Sequence, residues 1–98
     1  MEEFIYYNNL YDCYFKLLTD KQREYFESYY FENLSLSEIA EKYQVSRNAA
    51  YKQIQITISK LKEYEEKLKL YEKRKYLEKI LEEEKDIKVK NIITKILQ

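Results

Sequence analysis

Apolar side chains recur at three- and four-residue steps along most of the chain, which is the spacing of one face of an α-helix. The first stripe is largely aromatic and consists of Phe4, Tyr7, Tyr11, Tyr14 and Leu18. The second consists of Tyr25, Phe26, Tyr29 and Tyr30. These stripes predict a first helix that ends at Thr19 and a second helix that runs to about Glu32.

Capping signals divide the chain between these stripes. Thr19 with Gln22, and Ser35 with Glu38, have the capping-box spacing, in which each side chain can bond a free backbone N–H at the start of a helix. Ser46 can cap a further helix in the same way. Because each of these residues stands just before an apolar stripe, they predict the starts of the second, third and fourth helices.

The third and fourth helices have the arrangement of a helix-turn-helix. Only the three residues 44–46 separate them, which is a usual turn length for this motif. The fourth helix meets no breaker for many residues, so we expect it to be long, with Ser46 to Lys62 as its recognition segment. The predicted buried corner consists of Ile39, Ala40, Val45, Ala50 and Ile54. A Gly often starts such a turn, and this chain has Gln44 there instead.

The fourth helix separates into two faces at 100° per residue. An apolar arc of about 80° is expected to pack on the second and third helices; it holds Ala50, Ile54, Ile58, Leu61 and Leu68. The candidate nucleic-acid-binding residues on the other side are Arg47, Asn48, Tyr51, Lys52 and Gln55. Arg and Lys can bind guanine or phosphate, and Asn and Gln can pair with adenine edges. A polar face that is merely solvated is the alternative.

The composition supports an all-α fold. The 98 residues include no Gly and no Pro, and 37% are charged, which is typical of amphipathic helices joined by short polar turns. Two domains are predicted: a helix-turn-helix domain over residues 1–70, without a winged element, and a C-terminal helical extension over residues 71–98. We expect the extension to pack on the same domain or on a partner, with Asp86 as a cap between its helices.

Charge is distributed unevenly although its net value is zero. Residues 1–43 carry four Lys or Arg and nine Asp or Glu, whereas residues 44–62 carry four basic side chains and no acid. Residues 63–98 are nearly balanced, with ten basic and nine acidic side chains. The recognition segment is therefore the one purely basic stretch, although a neutral domain binds nucleic acid less tightly than a basic one.

Catalytic chemistry finds little support in the residues. The chain has no His, no Gly-rich phosphate loop and no Cys/His ligand spacing, so we predict no enzyme activity, no metal site and no cofactor. The acidic start Met1-Glu2-Glu3, the lone Cys13 and the lack of a long apolar run predict a cytoplasmic protein without membrane contact.

The motif resembles a known family. Leu34 to Lys52, reading LSLSEIAEKYQVSRNAAYK, together with LTDKQ at 18–22 and LKEYEEKL at 61–68, is similar to the YlxM family of small bacterial proteins. The likeness covers most of residues 8–70, and residues 71–98 add nothing to it. The family resembles region 4 of sigma factors and is usually encoded beside the signal recognition particle GTPase, which implies a regulatory link to protein targeting.

Two functions follow from these observations. The first is a nucleic-acid-binding regulator that places residues 47–55 in a major groove of DNA, or binds RNA, as a homodimer on two half-sites. The second is a protein-interaction module that acts on signal recognition particle components without binding DNA. The basic recognition segment favours the first function, and the zero net charge favours the second. Either the N-terminal aromatic helix or the C-terminal helices are expected to form the dimer contact.

Overall fold

The computed structural model describes residues 2–98, with side chains from Glu3 onwards. Met1 and the side chain of Glu2, which belong to the acidic start considered above, lie outside the described residues. All regular structure in the described part is helical, so the predicted all-α fold is confirmed. The helices are α1 (Glu2–Tyr14), α2 (Asp20–Tyr30), α3 (Leu36–Tyr43), α4 (Arg47–Leu68), α5 (Leu70–Glu83) and α6 (Ile87–Leu97). None of these helices is long and apolar enough to span a membrane.

The predicted capping boxes start two of the helices. The Thr19 hydroxyl accepts from the Gln22 N–H at 3.1 Å, and the Thr19 N–H donates to the Gln22 side chain at 2.9 Å. Ser35 and Glu38 make the same pair of bonds at the start of α3. Each box satisfies two backbone donors that would otherwise lack a partner, so both helix starts are confirmed.

The first helix ends earlier than the sequence pattern predicts. The α-helical part stops at Tyr14, a 3-10 turn covers Phe15–Leu17, and Leu18 is extended. This tighter turn carries the Leu18 side chain into the core, where it is buried. The Arg23 guanidinium donates to the carbonyl oxygens of Phe15 and Leu18, at 3.2 and 3.0 Å. The Phe15 carbonyl also accepts from the Leu18 N–H at 3.1 Å, so Arg23 adds bonds at the point where the helix is interrupted. The apolar stripe alone could not indicate these bonds.

Two apolar clusters form the core, and α4 contributes to both. The first consists of Leu10, Tyr11, Tyr14, Leu18, Phe26 and Leu61. The second consists of Tyr25, Ile39, Ala40, Ala50, Ile54 and Ile58. Tyr7 and Tyr30 are partly buried and pack against both clusters. Because α1, α2 and α3 all pack against α4, this helix is the central element of the domain.

The fourth helix ends in a sharp elbow at Lys69. Lys69 has the left-handed backbone conformation (φ 55°), and α5 starts directly after it. Leu68 is 43% exposed, so its predicted place on the core face is wrong: it lies in the last turn of α4, beyond Leu61, the last buried residue of this helix. Glu65 caps α5 by accepting from the N–H groups of Tyr71 and Glu72, at 3.0 and 3.1 Å.

Tyr14 fixes this elbow from the other side of the core. Its hydroxyl donates to the Glu65 carboxylate at 2.6 Å and accepts from the Leu70 N–H at 2.9 Å. A buried residue of α1 therefore bonds both the end of α4 and the start of α5. These bonds set the direction in which the chain leaves the core.

The last two helices form a hairpin that leaves the core. Arg74 of α5 pairs with Asp12 of α1 at 2.7 Å, while α6 packs mainly on α5. Asp86 caps α6, as the sequence predicts, by accepting from the Lys88 N–H at 2.9 Å. The elbow at Lys69 lies beside the predicted boundary at residue 70, and the division into two domains stays a prediction.

Alkaline pH is expected to unfold the protein through its buried tyrosines. Burial, and then the hydrogen bond to Glu65, raises the pKa of Tyr14 to about 12, and burial raises the pKa of Tyr30 to about 12. The folded state thus favours the neutral phenol. The contribution of these tyrosines to the free energy of unfolding should be constant below about pH 10 and fall as the pH rises through about 12.

Denaturant titrations at a series of pH values measure this decline. Tyr14→Phe should lower stability below pH 10, by about 1 kcal/mol for each lost hydrogen bond, and then show a shallower alkaline decline than the parent. Tyr76→Phe, at an exposed position, should follow the parent curve. A parent curve that stays flat through pH 12 would contradict the argument.

Candidate nucleic-acid interface

The corner between α3 and α4 is closed by backbone hydrogen bonds. Gln44 adopts the left-handed conformation (φ 55°, ψ 48°), which Gly usually supplies at this point of a helix end. The Val45 N–H donates to the Ala40 carbonyl at 2.9 Å, and the Gln44 N–H donates to the Glu41 carbonyl at 3.3 Å. This pair of bonds is the Schellman motif. The Gln44 side chain adds a bond to the Glu41 carbonyl at 2.8 Å.

The predicted corner residues lie together in the second cluster. Ile39, Ala40, Ala50 and Ile54 are buried there, and Val45 is partly buried against it. Ala40 and Ala50 carry the smallest side chains of the set, one on each helix of the motif. Such small side chains allow the two backbones to approach closely, and the interior has no spare volume for larger ones.

The recognition segment starts with a side-chain cap and points its polar residues outward. The Ser46 hydroxyl accepts from the Ala49 N–H at 3.0 Å, which fixes the first turn of α4. All five candidate binding residues are exposed, including Tyr51 at 49%; they are Arg47, Asn48, Tyr51, Lys52 and Gln55. The structure therefore brings them together on the first three turns of one helix, opposite its buried side.

The four cations of the basic stretch have different surroundings. Lys60 lies 3.7 Å from the Glu63 carboxylate, and the Lys62 ammonium lies 5.2 Å from the centre of the Tyr7 ring. None of the ion pairs among residues 3–98 involves Arg47 or Lys52. Arg47 and Lys52, which have neither an ion pair nor a contact with a ring in the part of the chain that the structure describes, stand at the start of α4, where a ligand would meet the candidate face.

The preceding helix exposes acidic side chains. Glu38 and Glu41 are exposed on α3. The bonds with Ser35 in its capping box hold the pKa of Glu38 below its ordinary value, so this carboxylate is ionised at neutral pH. Since these charges repel phosphate, they make α3 less favourable for phosphate contacts than the first turns of α4, which carry no acid.

A polar contact behind the corner was missed by the sequence argument. Ser28 is 1% exposed, its hydroxyl lies 3.1 Å from the Tyr43 hydroxyl, and it accepts from the Lys42 ammonium at 3.3 Å. Tyr43 also stacks on Tyr25, with ring centres 4.5 Å apart. The available signal was the position of Ser28 three residues after Tyr25, on the same helix face. These contacts join α2 to the end of α3.

Metal chemistry has no candidate site in the described residues. No group of three or more His, Cys, Asp or Glu side chains among them has a metal-binding arrangement. The acidic side chains that contact the core are instead used as hydrogen-bond acceptors, as Glu27 is for the Tyr11 hydroxyl and Glu65 is for Tyr14.

The tight corner, its buried cluster and the capped, outward-facing start of α4 define a helix-turn-helix protein. A family model described as "UPF0122: Putative helix-turn-helix protein, YlxM / p13 like" matches residues 1–98, and the chain belongs to this family. The family match thus includes the C-terminal helices, for which the motifs alone gave no resemblance.

Relatives from several bacteria support the same assignment. UPF0122 protein OB1530 of Oceanobacillus iheyensis is 53% identical over 75 residues, which are 76% of this chain and 71% of that protein. UPF0122 protein GK1195 of Geobacillus kaustophilus is 48% identical over 86 residues, 88% of this chain and 78% of that protein. UPF0122 protein FN1394 of Fusobacterium nucleatum is 40% identical over 98 residues, 100% of this chain and 95% of that protein.

Ala40→Leu is expected to destabilise the domain by about 1 to 3 kcal/mol, because the larger side chain overpacks a buried cluster. Thermal and denaturant unfolding measure the loss. Glu41→Leu introduces the same side chain at the neighbouring exposed position and should change stability by less than about 0.5 kcal/mol. Equal stability of Ala40→Leu and the parent would show that α3 and α4 are not closely packed.

Gln44→Val is expected to cost about 1 to 2 kcal/mol, because a β-branched side chain is strained in the left-handed conformation. Gln44→Gly removes that strain and should therefore be more stable than Gln44→Val by about the same amount. Both variants lose the side-chain bond to Glu41, so that loss does not affect the comparison. Denaturant unfolding of the two variants gives the comparison. A Val variant as stable as the Gly variant would contradict the geometry of this corner.

Proposed function

We propose that the protein is a nucleic-acid-binding regulator that inserts the first turns of α4 into a major groove of DNA. The observation that carries the proposal is the exposed polar face at the start of α4, held by the buried corner with α3. In helix-turn-helix proteins the second helix of the motif lies in the groove and uses its N-terminal residues to contact base edges. The candidate residues occupy this position.

Each candidate side chain has a plausible partner on DNA. Arg47, in the first turn, and Lys52 are suited to phosphate or to the O6 and N7 acceptors of guanine. Asn48 and Gln55 are suited to adenine N6 and N7, because an amide offers one donor and one acceptor. Tyr51 can donate to a phosphate or contact a thymine methyl group. We therefore assign backbone positioning to the cations and base selection to the amides.

Zero net charge limits how tightly one copy can bind. Phosphate neutralisation supplies most non-specific affinity, and only Arg47 and Lys52 stand uncompensated on this face. A homodimer doubles these contacts and reads two half-sites, so we propose that the protein binds DNA as a homodimer. We propose a binding role rather than catalysis, with a cytoplasmic location.

A second candidate function is regulation of signal recognition particle components through protein contacts. The acidic excess of residues 1–43, nine acids against four bases, favours this alternative because it would repel nucleic acid and attract a basic protein surface. RNA of that particle is a third ligand to test. Binding of these partners does not require the α4 face, so variants on α4 distinguish their binding from DNA binding.

The double substitution Arg47→Ala and Lys52→Ala is expected to weaken DNA binding and to reduce the salt dependence. Each lost phosphate contact removes about 0.9 from the slope of log K against log salt, so the slope should fall by about 2 if both cations bind phosphate. Fluorescence anisotropy with a labelled duplex over a salt series measures both quantities. Circular dichroism and thermal unfolding should match the parent, because both residues are exposed.

The matched control is Lys67→Ala with Lys85→Ala, which removes two positive charges elsewhere. Lys67 lies on the same helix, about 22 Å along the axis from Lys52. The control should keep at least half the affinity of the parent. Equal binding by the Arg47 and Lys52 variant at low salt would show that α4 does not carry the interface.

A pull-down with tagged protein, with and without nuclease, distinguishes the candidate functions. Sequencing of bound fragments should return defined DNA segments that the Arg47 and Lys52 variant fails to enrich. Recovery of the targeting GTPase or its RNA by both the parent and this variant, regardless of DNA digestion, would favour the second function.

A further inference from the structure

One side of α5 is exposed to solvent. We define the outer face of α5 by Lys69, Glu72, Tyr76, Lys79 and Glu83, all of which are exposed. The four members within the helix fall in an arc of about 60° at 100° per residue. Lys69, Glu72 and Tyr76 also line one surface groove of about 530 Å³.

This face has the character of an uncovered contact surface. Tyr76, at its centre, is 68% exposed, and no residue of α5, all of which the structure describes, is buried. The neighbouring α6 also exposes Ile87, Ile92 and Ile96. A 14-residue helix of a small domain ordinarily buries one side, so the hairpin of α5 and α6 presents an unpaired surface.

Counted outward from Tyr76, the outer face carries Glu and then Lys toward the start of α5, and Lys and then Glu toward its end. Tyr76 stands midway between Lys69 and Glu83, and close to midway between Glu72 and Lys79. A two-fold axis at Tyr76 maps each residue before it onto the residue an equal distance after it in an antiparallel copy. Lys69 then comes level with Glu83, and Glu72 comes within one residue, about 1.5 Å along the axis, of Lys79. Each of these four charges therefore has an opposite charge at or next to its own level. Lys73, which lines the same groove, comes level with Lys79 but lies on the other side of Tyr76.

We propose that the outer face of α5 binds the same face of a second copy, with the two helices antiparallel and Tyr76 at the axis. Lys69 pairs with Glu83 of the partner subunit, and Glu72 pairs with Lys79 of the partner subunit. The two-fold axis repeats both pairs. The contact is isologous, because one self-complementary patch serves both copies. It places a tyrosine at the centre and charges at the rim, as interfaces commonly do.

Two further observations support a second copy as the occupant. None of the ion pairs among residues 3–98 involves Lys69, Glu72, Lys79 or Glu83, so these charges are available to a partner. The chain has zero net charge, so two copies approach without long-range repulsion. Parallel packing in register would place Lys against Lys and Glu against Glu, which selects the antiparallel arrangement.

Charge-reversal variants test the proposed pairing. The acidic variant carries Lys69→Glu and Lys79→Glu, and the basic variant carries Glu72→Lys and Glu83→Lys. Light scattering and sedimentation, on a concentration series into the hundreds of micromolar, should give the parent twice the 12.2 kDa chain mass. Each variant alone should give the single-chain mass, because all four facing pairs become repulsive.

Mixing restores attraction if the pairing is antiparallel. An equimolar mixture of the acidic and basic variants should form a one-to-one dimer, and a single chain with all four substitutions should form a homodimer again. The dimers should weaken as salt rises from about 0.05 to 0.5 M, because exposed ion pairs are screened. Circular dichroism of each variant confirms that the helices are formed, and the four-substitution chain reports on the pairing even if one double variant is poorly folded.

The matched control is Lys16→Glu with Lys21→Glu, which alters net charge as the acidic variant does but leaves α5 unchanged. It should keep the parent mass. A monomeric parent, dimeric acidic and basic variants, or a mixture that stays monomeric would each overturn the inference. The inference rests on the homodimer that the proposed function invokes. Because these mass measurements use no nucleic acid, a failed pairing would leave DNA binding by α4 to be decided by the anisotropy experiment.

Discussion

The position of α4 depends on two buried clusters that hold it at different points along its length. Ile54 and Ile58 are buried in the second cluster, with α3, and Leu61 is buried in the first, with α1 and α2. Contacts at two points along a helix fix its direction as well as its position. The first turns of α4 can therefore remain exposed and polar without becoming free to swing, and a ligand meets a surface whose shape is already formed.

The helix starts were predictable from the sequence because their causes are local. Thr19, Ser35, Ser46 and Asp86 act through backbone groups two or three residues away, so their spacing alone indicates the bonds that form. The helix-turn-helix is equally local, since its corner spans only residues 44–46. Its apolar residues could be assigned to the buried side from the helical period of the sequence.

The parts that escaped prediction depend on contacts between residues distant in sequence, or on unusual backbone conformations. A chain without Gly still needs positive φ at three described positions, and Asn33, Gln44 and Lys69 take that role. Nothing in residue type marks Gln44 or Lys69 for the left-handed region. The early end of α1 likewise depends on Arg23 from another helix. For the candidate site, the sequence indicated the outward face but not that Lys60 and Lys62 are occupied by neighbours while Arg47 and Lys52 are not.

The bonds of Tyr14 at the elbow also bear on the order in which the molecule is assembled. Only Lys69 separates α4 from α5. Local support for the turn comes from Glu65, which caps α5, but Glu65 is itself bonded by the Tyr14 hydroxyl. The direction of α5 thus depends in part on a residue made more than fifty positions earlier. During synthesis from the N-terminus, α1 exists long before the elbow does, so the surface that receives α5 is in place when α5 emerges. A chain without α1 would keep the sequence of its last two helices but lose the contacts that orient them.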